Sequence, residues 1–330
     1  MKVLLLTLAL GAALLAPAVA SACPGHEVTG KMYFVSPTGS DANAGTSPAT
    51  AWRTVAKVNS AALNAGDAVM FKGGATFSDA QLAPSRSGTA TLRITYATYG
   101  PGKASLPQGI YLRSVSGLAF ENLSISGPSQ GILASGSGTS VSNITIDGVA
   151  ISSVGIGINS ALASNSNWTI RNSTVSQTGD SGLILLGSNF SVTGNRITDT
   201  GTNTNITYGK HGIYLKVSDA TVTGNTIERF HTDGVSVRYR NSRVESNTIS
   251  TGSIGISWYQ QDPTAGTSYW RTNTISGTTH AGMYVSPSDS AGSTKESFVI
   301  TGNKFTFTSG VCMNLHPTTG TYTVNSNTCN

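Results

Sequence analysis

The chain has 330 residues, of which only 11% are charged, and it carries 38 glycines. With Ser, Thr and Asn also abundant, this composition excludes a helical bundle or a charge-rich disordered chain and suits many short strands joined by tight polar turns. The formal net charge is +5, with no basic run interleaved with stacking aromatics; this argues against nucleic acid and for an acidic polysaccharide, beside the plainer reading of a mildly basic protein with no charged ligand.

In chain order, residues 1–22 read as a secretory signal peptide: one Lys, a Leu/Ala run, then Ala18-Val19-Ala20 and Ala20-Ser21-Ala22 as small-x-small cleavage sites. The apolar run is short for a membrane span and no later stretch is long enough, so the expected product is secreted and monomeric. Lipid attachment at Cys23 is the alternative, although Ala20 is not the Leu-type residue that usually precedes a lipidated Cys. Residues 23–330 are expected to form one domain. Met32–Ser36 reads as a strand, 37–41 as a loop, Trp52–Leu63 as a helix with Trp52, Val55, Val58 and Ala62 on one face, and Ala68–Phe71 as a strand. This opening, YFVSPTGSDANAGTSPATAWRTVAKVNSAALNAGDAVMFKGG, resembles the capping segment of secreted right-handed parallel β-helix proteins, which implies a helical N-terminal cap over about residues 32–80.

From about residue 90 one mark recurs: two apolar residues five apart, usually with Asn or Gly between them. The pairs are Phe120/Ile125, Ile146/Ile151, Ile170/Val175, Val192/Ile197, Val222/Ile227, Val244/Ile249, Trp270/Ile275, Ile300/Phe305 and Val324/Cys329. They predict about nine stacked coils of an all-β parallel solenoid, with apolar columns inside and Asn side chains bonding along the stack. A β-sandwich is the rival architecture, but it does not enforce such columns. Of the three cysteines, Cys312 and Cys329 are the candidates for a disulfide. Cys329 falls in an inward column and simple alternation turns Cys312 outward, so the pairing stays open.

Most coils also start a strand with Gly, as in Gly212-Ile213-Tyr214-Leu215 and Gly234-Val235-Ser236-Val237. Alternation then places Tyr214, Ser236, Ser257 and Tyr284 in one outward column and Lys216, Arg238, Tyr259 and Ser286 in the next. The segment from Tyr208 to Ser250 is one sentence written twice, with Lys216 and Arg238 an offset of 238 − 216 = 22 residues apart. It holds the densest basic cluster, including Lys210, His211, Arg229, His231, Arg240 and Arg243. A ladder of like charges on a sheet is unfavourable unless an anion lies over it, although solvent-facing sheet positions are often simply polar. The chemistry it suits is β-elimination on a uronic acid: a base removes the C5 proton while cations neutralise the carboxylate as negative charge develops. A Lys among other cations is a suitable base.

Lys216 to Ile249 (YLK…NTIERF…GVSVRYRNSRVESN) resembles the catalytic coils of polysaccharide lyase family six. The resemblance implies Lys216 as base and Arg238 as acid or charge stabiliser. The chain departs from the family at Tyr239, where a His is usual, and at Gly209, Lys210 and His211, where acidic calcium ligands are usual. No cofactor is therefore expected; Lys210, His211 and Arg240 would hold the substrate carboxylate in place of calcium, with Tyr214, Tyr259 and Tyr284 under the sugar rings and His231 as a further contact. His231-Thr232-Asp233-Gly234-Val235 resembles a polygalacturonase motif, so a glycoside hydrolase using Asp233 and Asp262 is the rival enzyme. The next coil offers no acidic pair, however, and Asp233 reads more simply as a turn residue bonded to backbone N–H groups. A C5 epimerase and a non-catalytic glycan-binding solenoid are the remaining alternatives. His280 and His316 read as surface or turn residues, and no Cys/His spacing of metal type is present.

Overall fold

The computed structural model describes residues 29–205, 209–262, 264–286, 296–307, 309–317 and 319–330. The signal-peptide segment and Cys23 lie outside the described residues. The rest is an all-β, right-handed parallel solenoid with three sheets running along its length.

The nine apolar pairs form its interior as expected. Their first members, Phe120 to Val324, stand in one continuous register column of the first sheet. Their second members, Ile125 to Cys329, do the same in the second sheet. The third sheet stacks Ile110, Ile132, Ile158, Leu183, Ile213, Val235, Ile256, Met283 and Met313. Apart from the last coil these residues are buried, in one continuous core. At the corner between the first two sheets Asn195, Asn225, Asn247, Asn273, Asn303 and Asn327 form a ladder. Each side-chain oxygen accepts from the backbone N–H of the preceding rung. Each Nδ2 donates to a carbonyl one coil back and, in all but the last rung, to the next Asn oxygen. These buried amides are thereby satisfied without water.

The glycines that open the third-sheet strands have a steric reason. A Cβ on Gly182, Gly212, Gly234 or Gly255 would point inward, 2.5–2.6 Å from the Ile side chain of the next coil's second-sheet strand. This inward direction also corrects the reading of Cys312. Cys312 follows Val311, which pairs with Ala281, so it takes the place that Gly282 has one coil earlier. It therefore faces Cys329, which stacks on Phe305. The two are disulfide-bonded, with Cα atoms 6.1 Å apart.

The N-terminal segment is a correction. Its helix spans only Val55–Ser60, not Trp52–Leu63, and among the described residues no longer helix is present to act as a cap. Trp52 is held as backbone partner of Phe34 and Ser36 and stacks on Tyr33 at 4.7 Å, which keeps it out of the helix. The strands Met32–Val35, Ala68–Lys72 and Ile94–Tyr99 are instead the first rungs of the first sheet, ending against Phe120. No helix among the described residues is long and apolar enough to cross a membrane.

Candidate active site

The outward columns of the third sheet run as the alternation predicts. Ile184, Tyr214, Ser236, Ser257 and Tyr284 pair in register, and Lys216 pairs with Leu186. Arg238, Tyr259 and Ser286 continue the Lys216 column, each donating its backbone N–H to the coil before. Because these residues share coil positions, separations of 21 residues or more become contacts at the ~4.8 Å strand spacing.

Arg238 sits at the centre. Its guanidinium lies 4.1 Å from the Tyr259 ring centroid and 5.0 Å from that of Tyr214. The Lys216 ammonium is 5.8 Å from the Tyr214 ring. Tyr259 meets Tyr284 at 5.6 Å, and Tyr284 meets His280 at 5.8 Å. Arg238 Nε is buried without a hydrogen-bond partner, so the stacking rings rather than acceptors fix the guanidinium plane. Burial first, and then the charge of Asp233, pushes the Tyr259 phenol up to about 12. It remains a protonated donor in the neutral range.

Below this layer lies a polar network that strand alternation did not foretell. His211 and Asp233 occupy the same position of consecutive coils, their carbonyls accepting from Gly182 N and Gly212 N. Both are buried, as are Ser236 and Ser257. Ser257 Oγ donates to Asp233 Oδ2 at 2.7 Å and lies 3.0 Å from Ser236 Oγ. His211 Nδ1 lies 2.9 Å from Thr232 Oγ1 and 3.3 Å from Asp233 Oδ2, and its ring stacks on Tyr214 at 5.2 Å. Burial pushes the Asp233 carboxyl up, but hydrogen bonding and charge from His211, with the serine hydroxyls, overcome this and hold it below the usual carboxylate range. Asp233 is therefore not a turn residue tied to backbone N–H groups: it belongs to the strand Asp233–Val237, and its carboxylate bonds side chains. Two sequence signals pointed to it: the His231-Thr232-Asp233-Gly234 motif, and the 22-residue repeat that sets Asp233 beside His211.

The structure thus brings together Lys216, Arg238, Tyr214, Tyr259, Tyr284 and His211. The other expected contacts lie elsewhere. Lys210 is buried, with its backbone N–H on Asp180 Oδ1. Arg240 is paired with Asp262 at 3.3 Å, and Asp262 also accepts from Thr264. His231 lines a groove at the corner between the second and third sheets, beside Gly201, Arg229 and Thr251. His280, read from the sequence as a surface or turn residue, is exposed within the strand Thr274–Val285 and lies beside Tyr284.

A family model described as periplasmic copper-binding protein (NosD) matches residues 96–264, just over half of the chain. The chain belongs to that family. A right-handed β-helix model also matches residues 200–329. No curated protein matches. Among solved structures, an alginate lyase from Paenibacillus sp. str. FPU-7 is 17% identical at TM-score 0.60, over 83% of this chain and 97% of that one. A glycoside hydrolase is 10% identical at TM-score 0.64, over 90% and 96%. GH136 lacto-N-biosidase from Eubacterium ramulus is 15% identical at TM-score 0.58, over 90% and 67%. At these identities the likeness establishes the fold. The neighbours are carbohydrate-active lyases and hydrolases.

Proposed function

We propose that this NosD-family solenoid is an exported polysaccharide lyase that cleaves a uronate-containing glycan by β-elimination. The observation that carries the reading is Arg238, clamped between Tyr214 and Tyr259 one coil from Lys216 on an outward sheet. A guanidinium held by ring faces keeps its N–H edges for a planar anion, which is the geometry a carboxylate takes. In this reading Lys216 withdraws the C5 proton, Arg238 neutralises the developing dianion, and the tyrosine faces carry sugar rings.

The hydrolase reading finds less support. It requires two available carboxylates, whereas Asp233 is committed to Ser257 and His211 and Asp262 to Arg240 and Thr264. The family description names copper. Among the described residues no group of three or more His, Cys, Asp or Glu side chains converges to hold a metal, and Cys312 and Cys329 are bonded to each other. These residues do not fit a copper centre.

The test is ultraviolet absorbance of the C4=C5 unsaturated uronate, with the mature protein on alginate, polygalacturonate, glucuronan and glycosaminoglycans. Wild type should release the chromophore from one of them, and Lys216→Ala should lower kcat by about 10²–10⁴-fold. New reducing ends without the chromophore would move the reaction to hydrolysis.

A further inference from the structure

β-Elimination needs a second proton carrier. When the C5 proton leaves, its electron pair forms the C4=C5 bond and the C4–O4 bond breaks. The departing O4 must then gain a proton. Arg238 is a poor donor, because a guanidinium does not deprotonate in proteins, and Lys216 is already spent as the base. The buried network supplies another group.

The proton positions on His211 follow from its partners. The Thr232 hydroxyl donates to the Gly209 carbonyl, so at His211 Nδ1 it acts as an acceptor. Asp233 Oδ2, the other neighbour at 3.3 Å, is also an acceptor. Nδ1 therefore carries a hydrogen and is fixed as a donor. Nε2 has no hydrogen-bond partner among the described residues, and the ring stacks on Tyr214, the same ring that Arg238 and Lys216 face. Asp233 is 3% exposed and ionised. A buried carboxylate is stable only with a cation or several donors around it, and His211 is the cation-forming group that touches it.

We propose that His211, as an imidazolium held by Asp233 and Thr232, is the general acid that protonates the leaving O4 through Nε2. Asp233 is the positioning residue behind it. This rests on the elimination reading and completes its proton balance: Lys216 gains the C5 proton, Nε2 gives its proton to O4, and both groups re-equilibrate with water after product release. A His–Asp pair thus does here the orienting and charge-balancing that such pairs do in acyl transfer, on a different reaction.

The experiment compares two leaving groups and reads the ring directly. On the polymer that the wild type cleaves, His211→Gln should lose about 10²–10⁴-fold in kcat. On a uronide carrying 4-nitrophenol at O4, which departs without a proton, the same variant should keep activity within about tenfold, while Lys216→Ala loses both. Equal losses of His211→Gln on the two substrates, or no loss on the polymer, would overturn the acid role and leave the lyase standing. Wild type inert on both substrates would remove the lyase itself and the acid role with it. Nitrogen-15 NMR of the wild-type ring needs no variant to fold: both nitrogens should be protonated at the pH of maximal activity, and Asp233→Asn should return the ring to neutral. A neutral wild-type ring at that pH would also overturn the proposal.

Discussion

Two polar columns run along this solenoid, and they are built on opposite rules. At the corner between the first and second sheets one residue repeats from Asn195 to Asn327, and every rung bonds the next in the same way. On the outer face of the third sheet no one residue type repeats along the column, which runs from Ile184 through Tyr214, Ser236 and Ser257 to Tyr284. Its polar atoms are paired unevenly, and Arg238 Nε is left with no partner. Repetition satisfies each amide within the stack, so the ladder has nothing to offer a ligand. Broken repetition leaves donors and rings, such as Arg238 Nε, that the stack itself does not pair. The chemistry is to be sought where the column stops repeating.

The comparison breaks most readily at the ladder. Asn247→Leu removes the acceptor for Asn225 N and Nδ2 and the donor to Val222 O. At ~1–3 kcal/mol for each buried group left unpaired, urea denaturation should show a loss of roughly 3 kcal/mol or more. Turnover per folded molecule should hardly change. A large fall in kcat in the folded fraction would mean that the two columns are not independent.

Glu121 sharpens it, as an irregular charge near the same corner several coils earlier. Burial first, then the charge of Asp147, pushes its carboxyl up to about 7, with Arg171 and Arg93 only partly offsetting this. A carboxyl with a raised folded value binds its proton more tightly when folded. Stability should therefore be highest below about pH 4.5 and decline as pH rises toward 7, by on the order of 2 kcal/mol. Glu121→Gln should flatten that window in denaturation midpoints taken from pH 4 to 8. A window that persists in the variant would place its cause elsewhere. Irregularity here should show itself in stability, whereas on the third sheet it should show itself in function.

The smallest effect is expected at Arg238→Lys. Charge is kept, but the planar edge and the stacking on two rings are lost. Affinity for the acidic glycan should fall about tenfold, near 1.4 kcal/mol, with the unfolding midpoint almost unmoved. Calorimetric titration with uronate oligosaccharides checks this, and unchanged affinity would show that the guanidinium is not the carboxylate receptor.

The pairs five residues apart and the Gly-led strands determined the solenoid, its registers and the Lys216–Arg238–Tyr259 column. They are legible because stacked coils must put like on like: each interior position meets its own copy above and below, so the constraint is written at a fixed period in the chain. The Asn ladder follows from the same rule. What only the tertiary structure decided is what breaks the period or turns a corner. Strand alternation sent Cys312 outward, but the Gly position it occupies points in, toward Cys329. Helical periodicity extended a helix through Trp52, whose backbone is claimed by Phe34 and Ser36. The basic cluster near residue 210 reads as one patch, yet Arg240 turns to Asp262 and Lys210 is buried. The His211–Asp233 contact joins residues 233 − 211 = 22 positions apart whose types have nothing in common. The 22-residue repeat that sets Lys216 beside Arg238 also sets His211 beside Asp233, but a coil brings positions together whether or not their residues match, and what the mismatched residues then do is set by their three-dimensional surroundings.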